Sequence, residues 1–163
     1  MNRPVEDPSG TIRAALDDLS GRRSEQVPIA LGWATVELDR MERSFAEAYP
    51  GSVTTTTDLG VDELLGAYCR LLSPGIEGVP ALLLLEPSTE GRLAASLARH
   101  GEGAMAIWLA DSPAPGPPPD PSAGLRRSVA APGPFGSEVL LLDGPVHGPH
   151  RLVVLAGPGT ITP

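Results

Sequence analysis

The sequence contains few of the residues that build disulfides, cysteine-based metal sites or aromatic cores. Cys69 is the only cysteine, which excludes an internal disulfide and any metal site made of several cysteines, as expected for a reducing cytoplasm. Two Trp, two Tyr and two Phe are the only aromatic residues, so aliphatic side chains must fill the interior. With 163 residues and 41% hydrophobic content, the chain can form one domain or two small halves that share a core.

Basic clusters and long apolar runs are also absent. The net charge is −8 and no run of basic residues occurs, whereas binding to nucleic acid requires clustered Lys and Arg. No apolar run approaches the roughly 18 residues of a membrane span, and the N-terminus lacks the basic-then-apolar pattern of a signal peptide. We therefore expect a cytoplasmic protein with neither a nucleic-acid nor a membrane partner.

Two stretches of the chain resemble copies of one structural unit. The first opens on the segment LGWAT (31–35) and the second on AIWLA (106–110), so the two tryptophans occupy matching positions. Both units close on an apolar run that ends in proline, at 80–87 and 150–158. A repeated supersecondary unit indicates that the two copies pack together. On this basis, Trp33 and Trp108 are expected at equivalent positions on the concave face of one sheet.

The first unit, 28–87, follows a polar arm at 1–27 with one short helical pattern. Apolar runs, β-branched residues or period-two alternation predict four strands, at about 29–38, 53–57, 67–72 and 80–86. Between the first two strands, Met41, Phe45 and Tyr49 form the apolar stripe of a helix. Asp39 and Glu42 give this helix a start that resembles a capping box. The unit is thus predicted to be one strand, one helix and three further strands.

The second unit, 104–158, has the same strand pattern but no predicted helix. A connecting helix within 88–103 precedes it, with Ser88 or Thr89 as the N-terminal cap and Gly101 as the end. Where the second helix should follow, residues 112–122 contain too many prolines for a helix interior. The strands of this unit are expected at about 104–110, 125–131, 137–142 and 151–156, before a tail at 159–163.

This organisation resembles the vicinal oxygen chelate superfamily, which includes glyoxalase I, methylmalonyl-CoA epimerase, extradiol dioxygenases and antibiotic-resistance proteins. The segment LLEP (84–87), followed by a helix and GEG (101–103), is similar to the epimerase branch in particular. The resemblance covers about residues 29–158. It implies an α+β fold in which two βαβββ-type units form a curved, partly open mixed sheet.

The resemblance also implies a divalent metal held by one side chain from the first and last strand of each unit. Carried over to this chain, the four positions are Leu31, Leu83, Ala106 and Val154. None of these side chains has the oxygen or imidazole nitrogen that such a cation requires. A shift of one residue in either direction offers only aliphatic residues, glycine or methionine. The sequence therefore predicts that the metal chemistry of the family is absent and that no cofactor is bound.

An apolar trough is expected in place of the metal site. Alternation along the strands assigns the ligand-binding residues to the same face as the four positions. They are Leu31, Trp33, Thr35, Leu83, Leu85, Ala106, Trp108 and Val154. Such a composition is typical of pockets for small organic ligands. The alternative is that these side chains fill a closed core.

Three residues are candidates for a catalytic role. Tyr68 and Arg70 are expected to face inward, with Cys69 outward, and could polarise a carbonyl or hold a carboxylate. Glu86 could be a general base if burial raises its pKa. Each has a structural alternative, namely a sheet-edge pair for Tyr68 and Arg70 and a strand-end turn for Glu86. His147 and His150 lie in a predicted loop and do not indicate a metal site.

The function expected from these residues is that of a metal-independent glyoxalase-fold protein that binds a small, largely apolar organic molecule. A cyclase- or isomerase-like enzyme of secondary, polyketide-type metabolism is the first hypothesis. The alternative is a non-catalytic protein that sequesters an antibiotic or metabolite, and a third hypothesis is a scaffold that only contacts a partner protein. A homodimer is left open, because members of the superfamily often complete their sites by dimerisation.

Overall fold

A computed structural model describes residues 10, 26–111, 126–144 and 149–155 of the chain. Residues 1–9 and 11–25 of the polar arm, the proline-rich segment 112–122 and the C-terminal tail, for which predictions were made above, lie outside the described residues. The last two residues of the predicted arm, 26 and 27, begin the first strand. The elements are β1 (Gln26–Ala34), α1 (Leu38–Ala48), β2 (Val53–Asp62), β3 (Ala67–Pro74), β4 (Leu82–Pro87), α2 (Arg92–His100), β5 (Gly103–Asp111), β6 (Ala131–Gly133), β7 (Gly136–Leu140) and β8 (His150–Val154).

All eight strands form one mixed sheet in the order β2-β3-β4-β1-β5-β8-β7-β6. In each half the first strand pairs in parallel with the last, β1 with β4 and β5 with β8, and the remaining pairs are antiparallel. The two halves meet where β1 pairs with β5 in antiparallel register. This topology confirms the α+β class and the two units that were predicted from the sequence.

The sheet curls into a half-barrel, so its two ends approach each other. The end strands β2 and β6 are in contact, and the Glu63 N–H donates a hydrogen bond of 3.2 Å to the Pro132 carbonyl. The curl gives the sheet a concave face and an outer face, each with its own apolar cluster.

The outer cluster packs under α1, whose Met41 and Phe45 side chains are buried in it. Its buried members are Leu31, Trp33, Met41, Phe45, Leu72, Val79, Leu82, Leu84, Ile107, Leu109, Val139, Leu141 and Val153.

The concave cluster includes Leu93 of α2, whose N–H donates to the Leu65 carbonyl, so this helix covers one end of the half-barrel. Its buried members are Ala30, Ala34, Leu65, Ala67, Cys69, Leu83, Leu85, Leu93, Met105, Ala106, Trp108, Leu140 and Leu152.

Neither helix begins with the side-chain cap predicted for it. The N-cap residues are Glu37 for α1 and Gly91 for α2, and neither makes a side-chain cap hydrogen bond. The predictions of a capping box at Asp39 and of a cap at Ser88 or Thr89 are therefore wrong. In α1 the acceptor comes from a distant strand instead, because the Glu86 carboxylate lies 2.9 Å from the Leu38 nitrogen.

The predicted end of α2 is confirmed. Gly101 has φ +75°, a conformation that favours glycine, and its N–H bonds to the Leu97 carbonyl. Neither described helix is long and apolar enough to span a membrane.

Candidate functional site

The two tryptophans lie on opposite faces of the sheet. Directly opposed residues of an antiparallel pair point to the same face, and Trp108 opposes Ala30 of the concave cluster. Trp33 belongs to the outer cluster, where its ring meets Phe45 of α1 edge-to-face at 5.4 Å. The prediction that both indoles lie on one concave face is therefore wrong. The match between LGWAT and AIWLA is one residue out of structural register, and such a slip exchanges the faces.

The same slip affects one of the four inherited metal positions. Leu83 and Ala106 are buried in the concave cluster and Val154 packs against it, but Leu31 belongs to the outer cluster. Its neighbour Gly32 pairs with Leu83 of β4 and Ala106 of β5, so Gly32 occupies the concave position. The residues at this place thus offer no side-chain oxygen or nitrogen and do not fit a divalent metal. Among the described residues, no group of three or more His, Cys, Asp or Glu side chains is placed to hold a metal ion.

The Trp108 indole fills the space between these strands. A Cβ atom on Gly32 would lie 2.7 Å from Cζ3 of Trp108 and 2.6 Å from Cδ1 of Leu85. Leu83, Leu85, Ala106 and Trp108 are all 0% exposed. In the described part of the chain these four residues are therefore a closed core and not an open trough.

Thr35, the remaining predicted ligand contact, is also buried. Its hydroxyl donates to Glu102 Oε1 at 2.5 Å. Whether Thr35 or any of the concave residues contacts a ligand stays a prediction.

The three catalytic candidates lie on the outer face. Tyr68 pairs with Glu86 and Arg70 pairs with Leu84, a member of the outer cluster, whereas Cys69 is buried in the concave cluster. The predicted orientation of Tyr68, Arg70 and Cys69 is thus reversed. Tyr68 is 49% exposed.

Arg70 joins β3 to α1 and to β2. Its guanidinium contacts Asp39 at 2.6 Å, Glu42 at 3.0 Å and Asp58 at 2.8 Å. The hydrogen bond from Arg70 lowers the pKa of the Asp39 carboxyl below its usual value. These contacts explain why the guanidinium points outward, since its three acidic partners lie on that face.

The two glutamates of the LLEP and GEG segments anchor the turn between β1 and α1. Glu86 Oε2 accepts the Leu38 N–H, and Glu102 Oε1 accepts the Val36 N–H at 2.9 Å. Glu102 also contacts Arg40. Burial raises the pKa of Glu102, but the Thr35 hydroxyl, the Val36 N–H and the Arg40 charge outweigh burial, so that the pKa lies below its usual value. Both motif carboxylates therefore have structural partners in this turn.

The sequence analysis missed a pair of buried carboxyl groups on the concave side. Asp62 ends β2 and Glu138 lies on β7, and both residues are 0% exposed. Asp62 Oδ1 accepts the Leu65 N–H at 2.9 Å, and Glu138 Oε2 accepts the indole N–H of Trp108 at 3.0 Å. We call Asp62 and Glu138 the carboxyl pair.

The pKa values around the carboxyl pair are raised. Burial raises the pKa of Asp62, and burial together with the hydrogen bond and charge of Asp62 raises the pKa of Glu138 to about 9. Burial, with the charge of Asp62, also raises the pKa of the Cys69 thiol to about 12. The sequence signal for the pair is weak, because Asp62 and Glu63 resemble a solvated turn and Glu138 is a single acidic residue beside an apolar run.

One further polar pair connects α2 with the sheet. The Ser96 hydroxyl and His150 Nε2 are 3.2 Å apart, and both residues are buried. His150 is the first residue of β8, which corrects its placement in a loop. His147 lies outside the described residues.

These observations define the class: the chain has the fold of the vicinal oxygen chelate proteins, in which two four-stranded units form one curved sheet. A methylmalonyl-CoA epimerase from Mycobacterium tuberculosis matches with 17% identity and a TM-score of 0.60, over 83% of this chain and 92% of that chain. A Streptomyces coelicolor methylmalonyl-CoA epimerase variant, in complex with 2-nitronate-propionyl-CoA, matches with 24% identity and a TM-score of 0.53, over 78% and 95%. A hypothetical protein from Bacillus halodurans matches with 16% identity and a TM-score of 0.57, over 85% and 100%.

At these identities the likeness shows the fold alone. No protein-family model and no curated protein sequence matches the chain.

Proposed function

We propose that the chain is a metal-independent protein of this fold that binds a small, largely apolar organic molecule on its concave side and isomerises or cyclises it. The observation that carries the proposal is the set of residues at the inherited metal positions, Gly32, Leu83, Ala106 and Val154. Such residues bind by apolar contact and shape, which can hold a substrate in its reactive conformation. The Streptomyces epimerase is in complex with a CoA derivative, which supports the choice of a small organic ligand for a protein of this fold.

The proposed ligand contacts are Leu83, Leu85, Ala106, Trp108 and Val154. Because the Trp108 ring lies directly over Gly32, a ligand must displace this ring to occupy the interior. Once displaced, the ring would leave the Glu138 carboxyl, its hydrogen-bond partner, next to the ligand. A titratable group in this position favours an enzyme over a simple binder. We further propose that the protein acts in polyketide-type secondary metabolism, that it is located in the cytoplasm and that it forms a homodimer.

The placement of the two tryptophans on opposite faces provides a direct test. Trp33→Phe leaves Trp108 as the only indole, and Trp108→Phe leaves Trp33. We expect the bicyclic ketones 1-tetralone and 2-tetralone, added with EDTA present, to change the fluorescence of the Trp33→Phe protein and not that of the Trp108→Phe protein. Circular dichroism of both variants checks that the fold is retained. A response confined to Trp33, or no response to either probe, would contradict binding in the concave interior.

Sequestration without catalysis is the second candidate function. It is favoured by the structural contacts of Tyr68, Arg70 and Glu86, which leave the three catalytic candidates on the outer face. The two functions differ in what happens to a bound probe. An isomerase that acts by proton transfer speeds the exchange of the α-hydrogens of 1-tetralone with solvent deuterium, which mass spectrometry detects, whereas a sequestering protein returns the probe unchanged.

A further inference from the structure

The carboxyl pair lies where the two ends of the curled sheet meet. Asp62 is the last residue of β2, at one end of the strand order, and Glu138 lies on β7, next to the strand at the other end. The backbone of Glu63, adjacent to Asp62, bonds to Pro132 of β6. Both carboxyl groups are fully buried on the concave face, and the Asp62 side chain raises the pKa of Glu138 as an adjacent acid does. A side-chain contact between the two units therefore accompanies the backbone contact at the closure of the half-barrel.

Each carboxyl group has one oxygen with a known donor and one without. Asp62 Oδ1 and Glu138 Oε2 accept bonds from Leu65 and Trp108, whereas Asp62 Oδ2 and Glu138 Oε1 are buried with no donor among the described residues. Two ionised carboxylates in this position would repel each other and leave both oxygens unsatisfied. One shared proton would satisfy both oxygens and remove one of the two charges.

We propose that Asp62 and Glu138 share one proton and thereby hold the two ends of the sheet together, so that loss of this proton opens the concave interior. Glu138 holds the proton, because the Leu65 N–H donates to Asp62 Oδ1 and the backbone N–H groups of Leu64 and Leu65 both act to lower the pKa of Asp62, which favours its charged form. The proposal goes beyond the proposed function and stands whether or not the interior binds a ligand.

The groups on the same face as the carboxyl pair come from three neighbouring strands. On β8 the titratable group of the concave face is His150, whose Nε2 lies 3.2 Å from the Ser96 hydroxyl. On β3 the facing titratable group is Cys69, which stays a neutral thiol because its pKa is raised to about 12. On β5 the facing group is the uncharged indole of Trp108. None of the ion pairs found in the described residues includes Asp62 or Glu138.

Gly133 of β6 makes room for the pair. A Cβ atom at this position would lie 2.1 Å from the carboxyl carbon of Glu138 and 2.3 and 2.4 Å from its oxygens. Gly133→Ala should therefore displace the Glu138 carboxyl while leaving both acids in the chain. This substitution separates the geometry of the pair from the presence of its acidic groups.

The pair makes stability depend on pH in a defined direction. The folded state keeps a proton on Glu138 up to a pKa of about 9, whereas the unfolded chain loses it near the ordinary value of 4.5. The stabilisation is fully present below pH 4.5, decreases as pH rises and is lost above about pH 9. For one proton, the folding equilibrium constant changes about tenfold per pH unit in this range.

Glu138→Gln tests the shared proton without removing the hydrogen bonds. The amide oxygen can accept from Trp108 and the amide nitrogen can donate to Asp62, so that the variant imitates the protonated acid at every pH. In urea unfolding, we expect the folding constant of the wild type relative to this variant to fall about tenfold per pH unit from about pH 5 to pH 9 and then to level off. Glu63→Gln, at an exposed neighbour, is the matched control and should keep the wild-type dependence.

Hydrogen–deuterium exchange tests the opening itself. Above pH 9 the amides of 60–65 and 131–138 should exchange faster in the wild type than in Glu138→Gln at the same pH. In Gly133→Ala the same amides should exchange faster already at pH 7. Two results would overturn the proposal. The first is a ratio of wild-type to Glu138→Gln folding constants that does not vary with pH. The second is a ratio that varies with pH while amide exchange at 60–65 and 131–138 stays unchanged, because Glu138 would then be a buried acid without a role in closure.

Discussion

The Trp108 side chain packs directly over Gly32, which has no side chain to obstruct it. The indole lies against Gly32, and both residues are buried at the point where β1 and β5 join the two units. The two tryptophans therefore have different roles although they were matched in the sequence. Trp33 packs an outer helix against the sheet, whereas Trp108 fills the interior and bonds to Glu138.

A substitution of Gly32 should show how tightly the interior is packed. Gly32→Ala puts a methyl group within 3 Å of Leu85 and Trp108, two side chains that are fully buried. We expect the free energy of unfolding to fall by about 1–3 kcal/mol, as for other overpacked cores. Gly144→Ala is the control, since its Cβ would meet only the Leu141 carbonyl at an ordinary 3.5 Å. Equal urea midpoints for the two variants would indicate an interior with free space.

The direction in which the side chains of β3 point was not predictable from the sequence. Small or apolar residues alternate with larger or polar residues at 67–72, and this alternation correctly predicts a strand. It does not predict which side of the strand faces the interior, because both sides carry apolar groups. The outward direction of Arg70 depends on Asp39 and Glu42 of α1 and on Asp58 of β2, which come close only after folding. The face of a strand could not be derived from local alternation alone.

At the scale of elements, the strands with long apolar runs and the helix with a clear stripe were predictable. The run at 80–86 forms the buried part of β4, and Met41 and Phe45 form the buried side of α1, because burial of an apolar face determines these elements. The starts of the helices were not predictable. In α1 the hydrogen-bond acceptor is Glu86, a residue of a strand three elements further along the chain.

The anchor at the start of α1 can be tested by removing its acceptor. Glu86→Ala leaves the Leu38 N–H without its carboxylate partner. We expect a loss of about 1 kcal/mol in the free energy of unfolding, the usual effect of losing an N-terminal cap. Glu90→Ala, at an exposed position before α2, is the matched control and should stay within about 0.5 kcal/mol of the wild type. Equal stability of the two variants would show that Glu86 does not support the helix.

At the scale of the whole molecule, the curl of the sheet brings together residues that the sequence does not relate. Asp62 and Glu138 belong to different units and meet only because β2 and β7 lie near opposite ends of a sheet that closes on itself. The repeat predicted the two units and the succession of four strands along the chain in each. It did not predict the closure, since contact between the ends depends on the curvature of all eight strands.

We propose that apolar packing and the carboxyl pair, in place of a metal ion, organise the concave interior. Anomalous X-ray scattering from crystals soaked in Zn²⁺ or Mn²⁺ is the measurement that tests this proposal. We predict no anomalous peak between Gly32, Leu83, Ala106 and Val154, where no side chain offers a ligand atom and the Trp108 ring lies over Gly32. An ordered ion bound between these four residues, at coordination distance from protein atoms, would contradict it.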